Sequence, residues 1–272
     1  MIQAIRETAF KVRNFAGLMV AYTALNLRAQ LEYRGAFFSQ VVAMFLNDLV
    51  WVAFWSLFFT RFPVLRGWNG GDVITVWAIA ASGFGIAYAT YGNALQLASL
   101  IAQGQLDVWM LYPRALLSHM LLGRMNATAW GDAIFGYVVY IGFVRPDLTH
   151  LLLFAGLSLS VALLFVGFSI LSGSLGFFLG NSAGLAEQWR FAMITFSTYP
   201  AILFEGAAKL LLYTLIPAGF VTYLPIQALR GLSLLYAALA LAGSCGVLAI
   251  GLAVFYYGLR RYESGNLMEM RG

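Results

Sequence analysis

Two aspartates interrupt runs that are otherwise apolar. Asp48, preceded by Asn47, falls within "FFSQVVAMFLNDLVWVAFWSLFFT" at 37–60, and Asp132 lies near the start of "NATAWGDAIFGYVVYIGFV" at 126–144. A charge at the centre of a bilayer costs about 2.5–3.5 kcal/mol on insertion scales, so such a residue needs a reason to stay. Asn47 and Asp48 are a candidate intramembrane polar site, suited to relaying protons, contacting a substrate, or pairing across a helix or subunit interface. Asp132 suits headgroup depth and a structural role. A second group is Glu205 and Lys209, four positions apart, which on a helix form a supporting pair of about half a kcal/mol. Together with Tyr199, Pro200, Phe204 and Pro217 in the same proline-rich stretch, they are also candidates for an outer gate.

A third group is "LIAQGQLDVWMLYPRALLSHM" at 100–120, where Gly104, Asp107, Pro113 and Arg114 break a long apolar context. Gly104 can end the preceding helix, and Asp107 suits the first turn of a new one. Pro113 then stops "LDVWML". The pattern predicts a short, stiff, partly apolar helix that either transmits force from a soluble partner or merely joins two spans.

Other chemistry is missing. No G-x-x-x-x-G-K-[ST] loop occurs, so the chain has no Walker site for ATP. No serine sits in G-x-S-x-G. His119 and His150 fall on opposite sides of the membrane in the topology below and cannot share a metal. Cys245 is the single cysteine, which excludes an intrachain disulfide. The small residues of "GSLG" at 173–176 and Gly180 suit helix packing.

The elements that position these residues follow from composition. Of 272 residues, 61% are hydrophobic and 10% charged, and mean hydropathy is +0.81. A soluble domain carries about 25% charge, so lipid is the solvent for most of this chain. The net charge of +5 lies between spans, where it sets orientation, and no basic stripe with interleaved aromatics suggests nucleic acid. The expected fold is an all-α integral membrane protein. Six transmembrane helices lie at about 37–60, 73–98, 126–144, 151–180, 188–204 and 231–258. Before them, residues 1–36 form a cytoplasmic N-terminus whose 8–34 portion is an amphipathic helix at the interface, with no signal-peptide cleavage site after it. Residues 205–229 form a re-entrant outer hairpin, because Pro200, Pro217 and Pro225 break that region. A cytoplasmic tail, 259–272, closes the chain.

Orientation favours this count. With six spans and the hairpin, five of the 16 basic residues (Arg61, Arg66, Arg145, Lys209 and Arg230) face outside and eleven face inside. Seven full crossings divide them nine to seven, which fits the positive-inside bias less well. Both termini, and the loop at 100–120, are then cytoplasmic.

Several segments in order resemble the permease subunits of type-2 ABC transporters, and within them a bacterial branch with six spans. These are "LEYRGAFF" (31–38), "GWNGGDV" (67–73), "IAQGQLDVWMLYPRA" (101–115), "YPAILFEGAAKLLLYTLIPAGFVTYLP" (199–225) and "GLRRYESG" (258–265). The resemblance implies an elbow helix before the first span, a coupling helix between spans two and three, and re-entrant outer helices before the last. It carries the ATPase-coupling role onto Gly104, Leu106, Asp107, Leu111 and Pro113, with Arg114 flanking. Gln105 departs from the pattern, since an acidic residue is frequent there in this branch.

The implied protein is a permease in the bacterial cytoplasmic membrane, without catalytic residues or cofactors of its own. ATP and Mg sit on a separate ATP-binding-cassette ATPase, and a second permease, identical or related, completes the pathway through membrane lipid. The apolar lining suggests export of an amphiphilic, lipid-like or drug-like substrate. The alternative is an ion-coupled secondary transporter using Asp48.

Overall fold

The computed structural model describes residues 2–113, 115–200 and 203–262, with side chains from residue 15 onward. Arg114, Met1 and the tail from 263 lie outside the described residues. The described residues are helical apart from turns and one small hairpin. Helix α1 (Ile2–Glu32) is followed after a single-residue break by α2 (Arg34–Arg61). Pro63 stops α2, because the ring excludes the helical conformation before it. Strands β1 (Val64–Leu65) and β2 (Trp68–Asn69) pair antiparallel around Arg66 and Gly67, both at positive φ, as a two-residue hairpin turn requires.

Asn69 then caps α3 (Gly70–Thr90). Its side chain accepts the Asp72 N–H at 3.0 Å, while the Asp72 carboxylate accepts the Asn69 N–H at 2.9 Å. This reciprocal pair satisfies two of the free N–H groups at a helix start. Next come α4 (Leu97–Ala102), α5 (Leu106–Met110), α6 (Leu116–Leu122) and α7 (Ala129–Val139), the last continued by a π-helical turn at Tyr140–Val144. Helix α8 (Leu148–Gly173) runs into the short α9 (Gly176–Leu179). The remainder is α10 (Ala183–Thr198), α11 (Gly206–Leu211), α12 (Gly219–Gly231) and α13 (Leu234–Leu259).

Among the described residues, four stretches are long and apolar enough to cross a bilayer: Arg34–Arg61, Gly70–Thr90, Leu148–Leu179 and Leu234–Leu259. The stretch Ala129–Val144 is apolar but shorter. Helix α3 is the buried centre. It packs on α7 and α8, with α2 against α7 and α12 on its other flank, while α13 packs on α8 and α12.

Lipid gives no hydrophobic reward for joining two helices, so close backbone approach and polar contacts do it. A Cβ on Gly251 of α13 would lie 2.5 Å from the Gly167 carbonyl of α8. Only the missing side chains let these helices touch. Buried hydroxyls bind across the same interfaces: Ser82 to Ser158 at 2.9 Å, Ser160 to Ser244 at 3.0 Å and Tyr88 to Ser169 at 2.7 Å. Gly173 and Gly176 do press on Leu97 and Ala98, as the packing reading expects. Gly180, at φ +62° with open space around it, is a turn instead.

Three expected boundaries shift, each for a local reason. The stretch 73–98 is not one helix. The Tyr88 carbonyl accepts the Asn126 N–H at 2.9 Å, and a 3₁₀ turn at Gly92–Gln96 separates α3 from α4. The stretch before 126 is not plain loop, since α6 folds there with Leu117, Met120, Leu121 and Leu122 buried. Helix α10 begins and ends about five residues before the expected 188–204, because Pro200 holds Tyr199 in an extended conformation.

Candidate functional site

Helix α5 is anchored on three sides. Gly104, at φ +70°, closes α4. Its N–H reaches the Ile101 carbonyl at 3.1 Å, and the Gln105 N–H reaches Leu100 at 3.0 Å, which turns the chain sharply. Leu106 is fully buried. The Trp109 and Tyr112 rings meet the edge or face of His119 on α6 at 5.1 and 4.9 Å, and Tyr22 of α1 meets the same imidazole at 5.4 Å. Tyr262, just past α13, sits beside Asp107. Burial, with that carboxylate next to it, pushes the Tyr262 phenol up to about 12.

The other face of this segment is bare. Val108, Met110 and Leu111 are exposed there, Leu111 at 84%, while Tyr112 is half exposed beside His119. Pro113 is exposed as well, and Arg114 lies outside the described residues. The sequence-predicted residues therefore divide by role: Gly104 and Leu106 fix the helix, Asp107 faces the chain's own end, and Leu111 points outward. His119 is buried at the hub of this cluster.

The acid pair is the second feature. Asp48 on α2 and Asp132 on α7 face each other and are each 4% exposed. Asp132, in the first turn of α7, is buried where α2 packs against that helix. The Oδ2 atom of each has no hydrogen-bond partner. Both line a cavity of about 440 Å³ together with Asn47, Trp51, Trp77, Phe84, Phe165, Phe191, Thr195, Thr198 and Tyr199. Trp51 and Trp77 stack at 5.6 Å, nearly parallel. Asn47, Asp48 and Tyr199, from two separate candidate groups, thus share one cavity.

The remaining gate candidates disperse. Glu205 does not make the expected i,i+4 pair with Lys209. It stands extended before the first turn of α11, and its carboxylate binds Arg66 of the hairpin instead. Lys209 is exposed, and Phe204 packs edge-to-face on Phe196 at 5.2 Å. Pro200 is buried where α10 ends, and Pro217 is buried at the turn between α11 and α12. At the far end of α12, Arg230 grips Asp72 with two nitrogens, at 2.8 and 2.6 Å. It also donates to the Gly67 carbonyl at 3.1 Å and lies 5.3 Å over the Trp68 ring. Between these two anchors the chain dips inward, where the Leu215 carbonyl accepts the Trp189 indole N–H at 3.0 Å.

Sequence reasoning missed Asp72, Arg230, Arg66 and Tyr262. The Asn69–Asp72 spacing is a helix-start signature and could have drawn attention to Asp72. The partners of the others lie 139 to 158 residues away and leave no local trace. Among the described residues no group of three or more His, Cys, Asp or Glu could hold a metal ion.

Helices of this length and hydropathy, packed around a largely aromatic cavity, define a multi-pass membrane protein. The family model described as "ABC-2 family transporter protein" matches residues 45–265, and the chain belongs to that family. It is thereby a membrane component of an ATP-binding-cassette transporter, and membership implies association with an ATPase subunit. No match was found among curated proteins or among solved structures.

Proposed function

We propose that the chain is the permease subunit of an ATP-driven exporter of amphiphilic, lipid-like or drug-like molecules, moved by a separate ATPase through α5. The observation that carries this reading is the bare apolar face at Val108, Met110 and Leu111, on a helix packed against α6 and the end of α13. A force applied there reaches those two elements directly and α1 through His119. Gly104, Leu106, Asp107, Leu111 and Pro113, with Arg114 flanking, form the coupling segment. The ATPase holds ATP and Mg, and the chain itself binds no cofactor. A nucleotide-driven partner shifts the permease only if its contact favours one of two arrangements.

The topology that goes with this function has six spans, built on α2, α3, α7, α8, α10 and α13, with both termini in the cytoplasm of a bacterium and α1 as an elbow along the inner membrane. Residues 205–229 are re-entrant. In support, Glu205 and Arg230 both bind the segment 66–72, so that stretch starts and finishes at the same end of the bundle. Tyr199, Pro200, Phe204, Glu205, Lys209 and Pro217 border the outer opening. A second permease, identical or related, forms the other wall. Membership in this family gives the ion-coupled reading of Asp48 no support.

The test is to express the chain with its candidate ATPase and purify the complex. Leu111→Asp should abolish co-purification, while Asp107→Ala and Pro113→Ala should leave the complex intact and remove substrate stimulation of ATP hydrolysis. Unchanged stimulation in both variants would reject the coupling assignment.

A further inference from the structure

The cavity between α2, α3, α7 and α10 combines features that ordinary helix packing does not explain. Among the described residues its only acids are Asp48 and Asp132, and no lysine or arginine lines it. Both are 4% exposed and lie within hydrogen-bonding reach of each other. Buried acids with no basic partner are costly to keep. The walls are aromatic: Trp51 and Trp77 stacked, with Phe84 and Tyr199 beside them. At about 440 Å³ the space falls within the size class of small-molecule sites.

Those walls select a charge sign. Aromatic faces attract cations and repel anions, most strongly when water is excluded. The acid pair adds to the same preference. An anion would meet two acids and no basic side chain to balance them.

We propose that this cavity is the cargo site and that it takes hydrophobic organic monocations, with the charge at Asp48 and Asp132 and the apolar groups against the indoles. The proposal rests on the permease reading above and narrows its substrate class. Asn47 and Thr198 line the same space and offer polar contacts for substituents.

The probe is radiolabelled tetraphenylphosphonium, and the control is tetraphenylborate, which has nearly the same shape and the opposite charge. Equilibrium dialysis against the purified full-length chain in non-ionic detergent should give saturable uptake of the cation and none of the anion. Asp48→Asn combined with Asp132→Asn should weaken cation binding at least tenfold in a chain that still elutes as a sharp monodisperse peak. Absence of saturable cation binding, equal binding of the borate, or undiminished binding by the folded double variant would each overturn the assignment. If the double variant does not fold, the cation–anion comparison on the unsubstituted chain decides by itself. Failure of cation binding while the ATPase still co-purifies sinks the cargo class alone. Cation binding without ATPase capture supports the site and sinks the permease reading.

Discussion

Arg230 joins two parts of the chain 158 residues apart, and it does so with a planar fork that lysine lacks. Asp72 is nearly buried, at 10% side-chain exposure, whereas Arg230 is a third exposed. Removing the arginine therefore leaves the carboxylate with only its capping bond to Asn69. Arg230→Ala should cost about 1.5 kcal/mol, the low end for hydrogen bonds to charged groups. Arg230→Lys should recover less than half of that, because it cannot bind both oxygens. Thermal unfolding in detergent measures both, and a cycle with Asp72→Asn should show clear coupling. Additive losses would mean that the two residues act separately. Elsewhere on the same face, Asp147 caps α8 by accepting the His150 N–H at 2.8 Å, and its carboxyl is held below the usual carboxylate range, first by that backbone donor and then by the imidazole. Its stabilisation is complete above the ordinary aspartate range and disappears as pH falls through the lowered value. Asp147→Ala should lower the melting temperature at pH 7 and make no difference in strong acid. An equal loss at both pH values would contradict this.

At the scale of elements, glycine placement sets how near two helices come. Gly167 and Gly251 let α8 and α13 meet along their backbones. Gly251→Val should cost about 1–3 kcal/mol through overpacking, and Gly251→Ala less but in the same direction. A melting temperature unchanged in the valine variant would show that the pair is not a close contact. The same substitution at Gly246, which faces open space, is the matched control. The long helices were legible from their apolar runs and the stop near Gly104 from the glycine, but α10 ends at Thr198, inside the stretch expected to run to 204. The break after α3 was not legible, because a hydrogen bond from Asn126, 38 positions beyond Tyr88, is what diverts it.

For the whole molecule, orientation is the property that unites the coupling segment, the hairpin and the cavity. Cys245 can be replaced by Ser, and single cysteines then placed at Lys209, Arg145 and Tyr112. Membrane-impermeant maleimide should label Lys209→Cys and Arg145→Cys in intact cells, and Tyr112→Cys only after permeabilisation. Labelling of Lys209→Cys and Tyr112→Cys from the same side would rule out six spans with a re-entrant hairpin.

Composition by itself determined that this chain lives in lipid, because no soluble core could hide so much apolar surface. Segment order determined its family, and the glycine and proline positions determined that a short stiff helix follows Gly104. Tertiary structure alone decided that Asp48 faces Asp132, that Glu205 turns to Arg66 rather than Lys209, and that Arg230 closes on Asp72. The physical reason is range. Hydropathy, capping and chain breaks act over a few residues and are written locally. A carboxylate's partner is set by which helices the packing brings side by side, and that depends on the whole bundle at once.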